Sequence, residues 1–312
     1  MRFLSLSCPP VERAAVKRPP YTTHLKRVPL MRKSLLALSL LAATSAPVMA
    51  ADYSDGDTHK NDFSWMQFNL MHAINEKPGN SDHTYLEMEF GGRSGIFDLY
   101  GYLDVFNLTD SDSSDKAGKD QLFVKFAPRM SIDGLTGKDL SFGPVQEIYL
   151  ANYTTLDGGA DYNLYDKDGN EKSNTPGFLT KWGIGSDVMV PWFGKMQFNL
   201  YKTYDVKAKE WNGYQFSTVW FKPFYFFENG SFISYQGYID YEFGIDKVHI
   251  PGVGQLKSSH GGAMFNGIYW HSDQFAVGYG LKLYDDVYGL TDEGVAGRTS
   301  GVGHYLAVTY KW

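Results

Sequence analysis

From residue 63 onward the chain reads as a series of segments in which apolar and polar residues alternate with period two. "SWMQFNLMH" sets Met66, Phe68 and Leu70 against Gln67 and Asn69. "HTYLEMEF" sets Leu86, Met88 and Phe90 against Tyr85, Glu87 and Glu89. "IFDLYGYLDVF" sets Phe97, Leu99, Leu103 and Val105 against Asp98, Tyr100, Tyr102 and Asp104. "QLFVKFAPR" sets Leu122, Val124 and Phe126 against Lys125 and Arg129, and "PVQEIYLANY" sets Ile148 and Leu150 against Glu147 and Tyr149. The same alternation recurs in "KMQFNLYKTY", "NGYQFSTVWF", "SFISYQGYIDYEF", "AMFNGIYW", "QFAVGYGLKLY" and the closing "GHYLAVTYKW". With a weaker strand near 178–189 the pattern predicts about twelve antiparallel strands.

The connections alternate too. Long polar ones are expected near 73–83, 107–120, 155–177, 205–210, 244–262 and 285–300, and tight ones at "GGRSG", "PWFG" and "HSD". The link at about 131–143 is longer than the other tight-side connections, and spacing gives no reason for it. Long loops at one end and short turns at the other are expected of an up-and-down barrel crossing a membrane.

The polar face decides which way the sheet faces. Glu87, Glu89, Asp98, Asp104, Lys125, Arg129, Glu147, Lys181, Lys195, Asp240, Glu242 and Lys282 all fall on it. About eight strands already leave an interior just wide enough for side chains to fill, so about twelve would leave a soluble barrel hollow. The pattern predicts a transmembrane barrel with apolar residues toward lipid and a polar lumen. The final strand's apolar stripe then faces lipid, and Trp312 falls at an interfacial girdle.

Composition adds limits. Tyr (22), Phe (21) and Gly (33) are abundant, which suits strands and turns, and mean hydropathy is −0.33, too polar for a bundle of membrane helices. "MRKSLLALSLLAATSAPVMA", residues 31–50, has basic residues, an apolar run and small residues at its end, as a secretory signal peptide does. Met31 is read as the start, residues 1–30 as an over-called extension, and 51–312 as the barrel domain. Residues 1–50 hold eight basic residues and one acidic, leaving 21 and 34 in residues 51–312, a net of −13. That charge repels nucleic acid. Cys8 is the only cysteine, which excludes disulfides and thiolate metal sites. The histidines show no metal-ligand spacing, and no phosphate-binding or nucleophile motif occurs, so no cofactor, metal or catalytic residue is expected.

At "PRMSIDGLTGKDLSFGPVQEIYLANY" (128–153), with "TYLEMEF", "FDLYGYLDVF", "KEWNGYQF" and "SGVGHYLAVTYKW", the chain resembles the nucleoside-specific channel-forming porins, the Tsx-like family. "SDGDTHKNDFSWMQFNLM", "FGGRSGIFDLYGY" and "FKPFYFFENGSFISYQGYIDY" make it similar to that family's outer-membrane protein K group. The resemblance implies a monomeric twelve-stranded barrel in the outer membrane of a Gram-negative bacterium. It implies passive diffusion of nucleosides past lumen aromatics paired with ionisable groups, and loops that serve bacteriophage as a receptor.

A nucleoside offers a flat base and ribose hydroxyls without phosphate charge. Bases stack on aromatic rings, and hydroxyls donate to carboxylates and amides. The solute path is therefore expected along Glu87, Glu89, Asp98, Tyr100, Tyr102, Asp104, Lys125, Arg129, Glu147, Tyr149, Tyr238 and Asp240. The same residues could instead form a structural network that stiffens the lumen. The sequence also admits a general or ion-selective pore, a surface recognition protein, and a barrel lipase using Ser300 or Ser272 beside His304 or His271.

Overall fold

The computed structural model describes residues 51–118, 122–165, 169 and 171–312; the expected signal peptide and the segment before it lie outside them. The chain runs β1 (Phe63–Glu76), β2 (Ser81–Ser94), β3 (Phe97–Val105), β4 (Leu122–Phe126), β5 (Arg129–Ser131), a short helix α1 (Ile132–Thr136), β6 (Val145–Tyr165), β7 (Glu171–Val190), β8 (Gly194–Asp205), β9 (Glu210–Phe226) and β10 (Phe232–Phe243). A small hairpin, β11 (Val248–Ile250) and β12 (Gly254–Lys257), precedes β13 (His260–His271), β14 (Phe275–Asp285) and β15 (Gly301–Lys311).

β4 and β5 are two halves of one stave. Both pair with β3 on one side and β6 on the other. Pro128 separates them because its nitrogen has no hydrogen to give the ladder. The Ala127 N–H to Tyr100 O bond (2.8 Å) and the Asn152 N–H to Pro128 O bond (3.0 Å) carry the pairing past it. Apart from the β11–β12 hairpin, the strands thus make twelve antiparallel staves, and the ring closes where β1 pairs β15 from Gln67↔Lys311 to Ile74↔His304.

The two faces are inverted relative to a soluble sheet. On β15 Leu306 and Val308 are each 53% exposed, whereas Tyr305, Ala307 and Thr309 are buried. Leu70, Ile184, Ile268 and Val277 project outward in the same way. Burying that much apolar surface in lipid rather than water is strongly favourable, at about 25 cal/mol per Å². Among the described residues no helix is long and apolar enough to cross a membrane; here strands cross it.

The interior is spaced by glycine where rings lie flat. A Cβ on Gly278 would sit 2.2 Å from the Tyr269 ring, and one on Gly280 would sit 2.3 Å from the Phe265 ring. Phe265, Tyr269 and Tyr305 thereby pack with Met71, Ala73, Tyr85 and Ala307 into an apolar cluster on one wall.

Several expected loops are corrected. The span 73–83 is strand except for 77–80, 205–210 is strand except for 206–209, and much of 155–177 is a long hairpin in which Asn163 still faces Asn174. Once a strand passes beyond lipid its outer face no longer has to be apolar, so pairing continues where the period-two signal stops. The unexplained 131–143 link contains α1. Ser131 Oγ caps it by accepting from the Gly134 N–H (3.0 Å), and Gly137 ends it at φ 65°. Buried Asp133 ties the link to β6 by accepting from the Leu140 and Ile148 N–H groups at 2.7 and 3.2 Å.

Candidate solute pathway through the bore

Strand register assembles the lumen. Glu87 stands opposite Asp104, Glu89 opposite Tyr102 and Arg93 opposite Asp98. Tyr102 then meets Lys125, Tyr153 meets Lys181, and Glu147 meets Asp187. Because side-chain direction repeats every two residues, all of these point inward together. They border a cavity of about 3390 Å³ that runs through the barrel. Of the twelve residues expected on the path, Tyr149 alone does not line it. That residue is fully buried inside a charged network.

That network spans the end with short turns. Arg129 donates to Asp98 through Nε (2.9 Å) and Nη2, and its Nη1 lies 2.9 Å from Asp187 Oδ1, close enough for an ion pair but not aligned as a hydrogen bond. Lys195 reaches the other Asp187 oxygen at 2.7 Å. The Arg129 guanidinium lies 4.0 Å from the centre of the Tyr149 ring. Arg93 donates to Glu147 (3.0 Å) and to Tyr149 Oη (2.6 Å). Tyr53, from the segment before β1, closes the group by donating to Glu147 Oε1 at 3.2 Å.

Midway along the bore the arrangement is looser and more aromatic. The Lys125 ammonium lies 4.3 Å from the centre of the Tyr153 ring and 5.6–5.9 Å from those of Tyr102, Tyr100 and Tyr238. Its nearest carboxylate, Asp240, is 3.7 Å away. Asp240 also accepts from Ser217 Oγ (2.5 Å) and Gln215 Nε2 (3.2 Å). Lys181 donates to Gln215 and to Glu242 (2.5 Å). Glu89 accepts from Gln67 (2.6 Å) and the Tyr100 hydroxyl (2.8 Å), while Glu87 accepts from Asn69 (2.6 Å).

The bore therefore presents tyrosine faces next to carboxylates, amides and ammonium groups, with a charged network across one end. A family model described as "Nucleoside-specific channel-forming protein, Tsx" matches residues 60–312. The chain belongs to this family. It is 66% identical over 284 residues to the outer membrane protein OmpK of Vibrio parahaemolyticus, covering 90% of this chain and all of that one. It is 30% identical over 305 residues to the nucleoside-specific channel-forming protein Tsx of Salmonella typhimurium, with the same coverage. Family and fold together place this Tsx-family protein in the Gram-negative outer membrane as a channel.

The family is one of channels and not of enzymes. The serines and histidines weighed for lipase chemistry have other partners in this member. His271 Nε2 bonds the Ser234 hydroxyl (2.9 Å) and stacks on Phe232, while Ser272 Oγ bonds the Phe275 carbonyl (3.2 Å). His304 bonds the Tyr279 hydroxyl at 2.7 Å, and Ser300 Oγ accepts from the Asp286 N–H at 2.9 Å.

Several residues that line the lumen lie outside the expected set. Tyr153 and Asp187 sit at inward positions that alternation alone could have supplied. Tyr288 comes from a segment without a period, as does Tyr53, which does not border the cavity but closes the charged network at its end. Tyr288 has a left-handed backbone (φ 62°) in the β14–β15 loop and borders the same cavity.

Proposed function

We propose that the protein passes nucleosides and similar small hydrophilic solutes down their gradient by passive diffusion. The observation that carries this reading is the ring of four tyrosines about Lys125, flanked by Asp240 and by Glu89, which accepts from the Tyr100 hydroxyl. A base can stack on a tyrosine there for roughly 1–3 kcal/mol, while ribose hydroxyls donate to the carboxylates. Each contact is weak and several occur in sequence, so a solute is admitted and still released. The family's description and the name of the Salmonella relative support the same solute class.

The test is planar-bilayer reconstitution with a panel of nucleosides, sugars and amino acids. Nucleosides are expected to reduce the current at concentrations where the sugars and amino acids do not. Equal effects across the panel would leave a general pore.

The connections opposite the short turns also form an exposed surface that bacteriophage could use. Removing the outer part of the long 155–177 connection should then block adsorption while sparing conductance.

A further inference from the structure

The lumen carboxylates differ in how they are compensated. Asp98, Glu147, Asp187, Asp240 and Glu242 each lie within 4 Å of an arginine or lysine. Glu87, Glu89 and Asp104 form no ion pair among the described residues. Glu87 and Asp104 stand directly opposite each other in register. Two like charges in that position are ordinarily destabilising. Asp104 is only 5% exposed, and its Oδ1 has no hydrogen-bond partner. Amides and a hydroxyl hold Glu87 and Glu89 from behind, so their orientation is set without neutralising them. Tyr102 and Phe106 border the cavity beside them.

Carboxylates that form no ion pair, one of them with a buried oxygen lacking a hydrogen-bond partner, offer acceptors that a cationic group could satisfy. We infer that Glu87, Glu89 and Asp104 form a subsite for the cationic group of a small organic amine or guanidine passing through the bore. An ammonium or guanidinium supplies several donors to orphaned acceptors and also suits the neighbouring ring faces. This subsite adjoins the Lys125 ring, sharing the Tyr100 hydroxyl bond to Glu89 and the Tyr102 face, and it rests only on the bore being conductive.

The experiment uses the full protein in planar bilayers. The probe is 1,4-diaminobutane, with uncharged 1,4-butanediol as its neutral counterpart and adenosine measured in parallel. The diamine is expected to reduce the current of the unaltered protein at concentrations where the diol does not. In Glu87→Gln/Asp104→Asn the half-blocking concentration should rise by about tenfold, the loss of roughly one charge-assisted contact. Asp139→Asn, which removes an exposed acid outside the bore, should leave it unchanged. Equal potency of diamine and diol on the unaltered protein overturns the proposal whatever the variants do. So does unchanged diamine block in a double variant that still conducts, because the facing carboxylates are then only a structural pair. Absence of adenosine block would count against the nucleoside reading and leave this one standing.

Discussion

Arg129→Met removes the cation at the centre of the charged network. In the native barrel this guanidinium is 3% exposed, pairs with Asp98 and Asp187, and covers Tyr149. Breaking a buried pair by deleting one partner costs about 3–5 kcal/mol, because the other charge stays buried. Two features favour the lower end. Asp187 keeps Lys195 at 2.7 Å, and the Asp98 side chain is 18% exposed, so water in the bore can reach it. The expected loss is therefore about 3 kcal/mol, on the order of a hundredfold in the folding equilibrium. Urea unfolding of the protein in detergent micelles, followed by tryptophan fluorescence, reads it directly. Adding Asp98→Asn to the variant should recover part of the loss, since one stranded charge is then removed. If Arg129→Met stays within about 0.5 kcal/mol of the parent, the network is solvated like a surface ion pair and the reasoning fails.

Gly278→Ala places a methyl group 2.2 Å from the Tyr269 ring; it should lower stability by about 1–3 kcal/mol as overpacking, seen as an earlier urea midpoint with the conductance retained. Tyr153→Ala removes the ring nearest Lys125; nucleoside block should weaken by a factor set by roughly 1–3 kcal/mol of stacking, with stability measured separately by the same unfolding assay. His59 is held above its ordinary pKa chiefly by its hydrogen bond to Asp62 (2.8 Å), and the same bond lowers Asp62. The contact is thus fully present between about pH 4 and about pH 6.5, and is lost at acid pH as Asp62 protonates and at higher pH as the pH rises through the raised His59 value; an NMR titration of the His59 ring should show its midpoint fall in Asp62→Asn.

Inside and outside were legible because a β-strand has a strict two-residue repeat. Once Leu86 and Phe90 are assigned to lipid, Glu87 and Glu89 must face the bore. Three kinds of residue escaped that logic. Arg93 lies in "GGRSG", whose glycines read as a turn, yet β2 runs through the first two and the chain reverses only at Gly95. A Cβ on Gly91 would sit 2.7 Å from the Trp65 ring, so that glycine makes room for an aromatic and does not reverse the chain. Tyr288 reaches the bore, and Tyr53 the charged network at its end, from irregular segments, where position depends on tertiary contacts and not on a period. The ends of the long hairpins were obscure because alternation marks the lipid boundary and not the end of hydrogen bonding.

On the proposed function, the charge pairing also bears on where along the bore solutes would be discriminated. Asp98, Glu147 and Asp187 already hold buried guanidinium partners, and a solute can compete for them only by exposing an arginine to an unpaired site. Lys125 is held by ring faces and by one carboxylate at 3.7 Å, contacts worth about 0.5–2 kcal/mol each. A stacking base and its ribose hydroxyls can exchange with these at little net cost. The short-turn end is thus built to keep its shape while solutes pass. On the proposed function, the middle, where exchangeable tyrosine faces adjoin carboxylates that form no ion pair, is where one solute is told from the next.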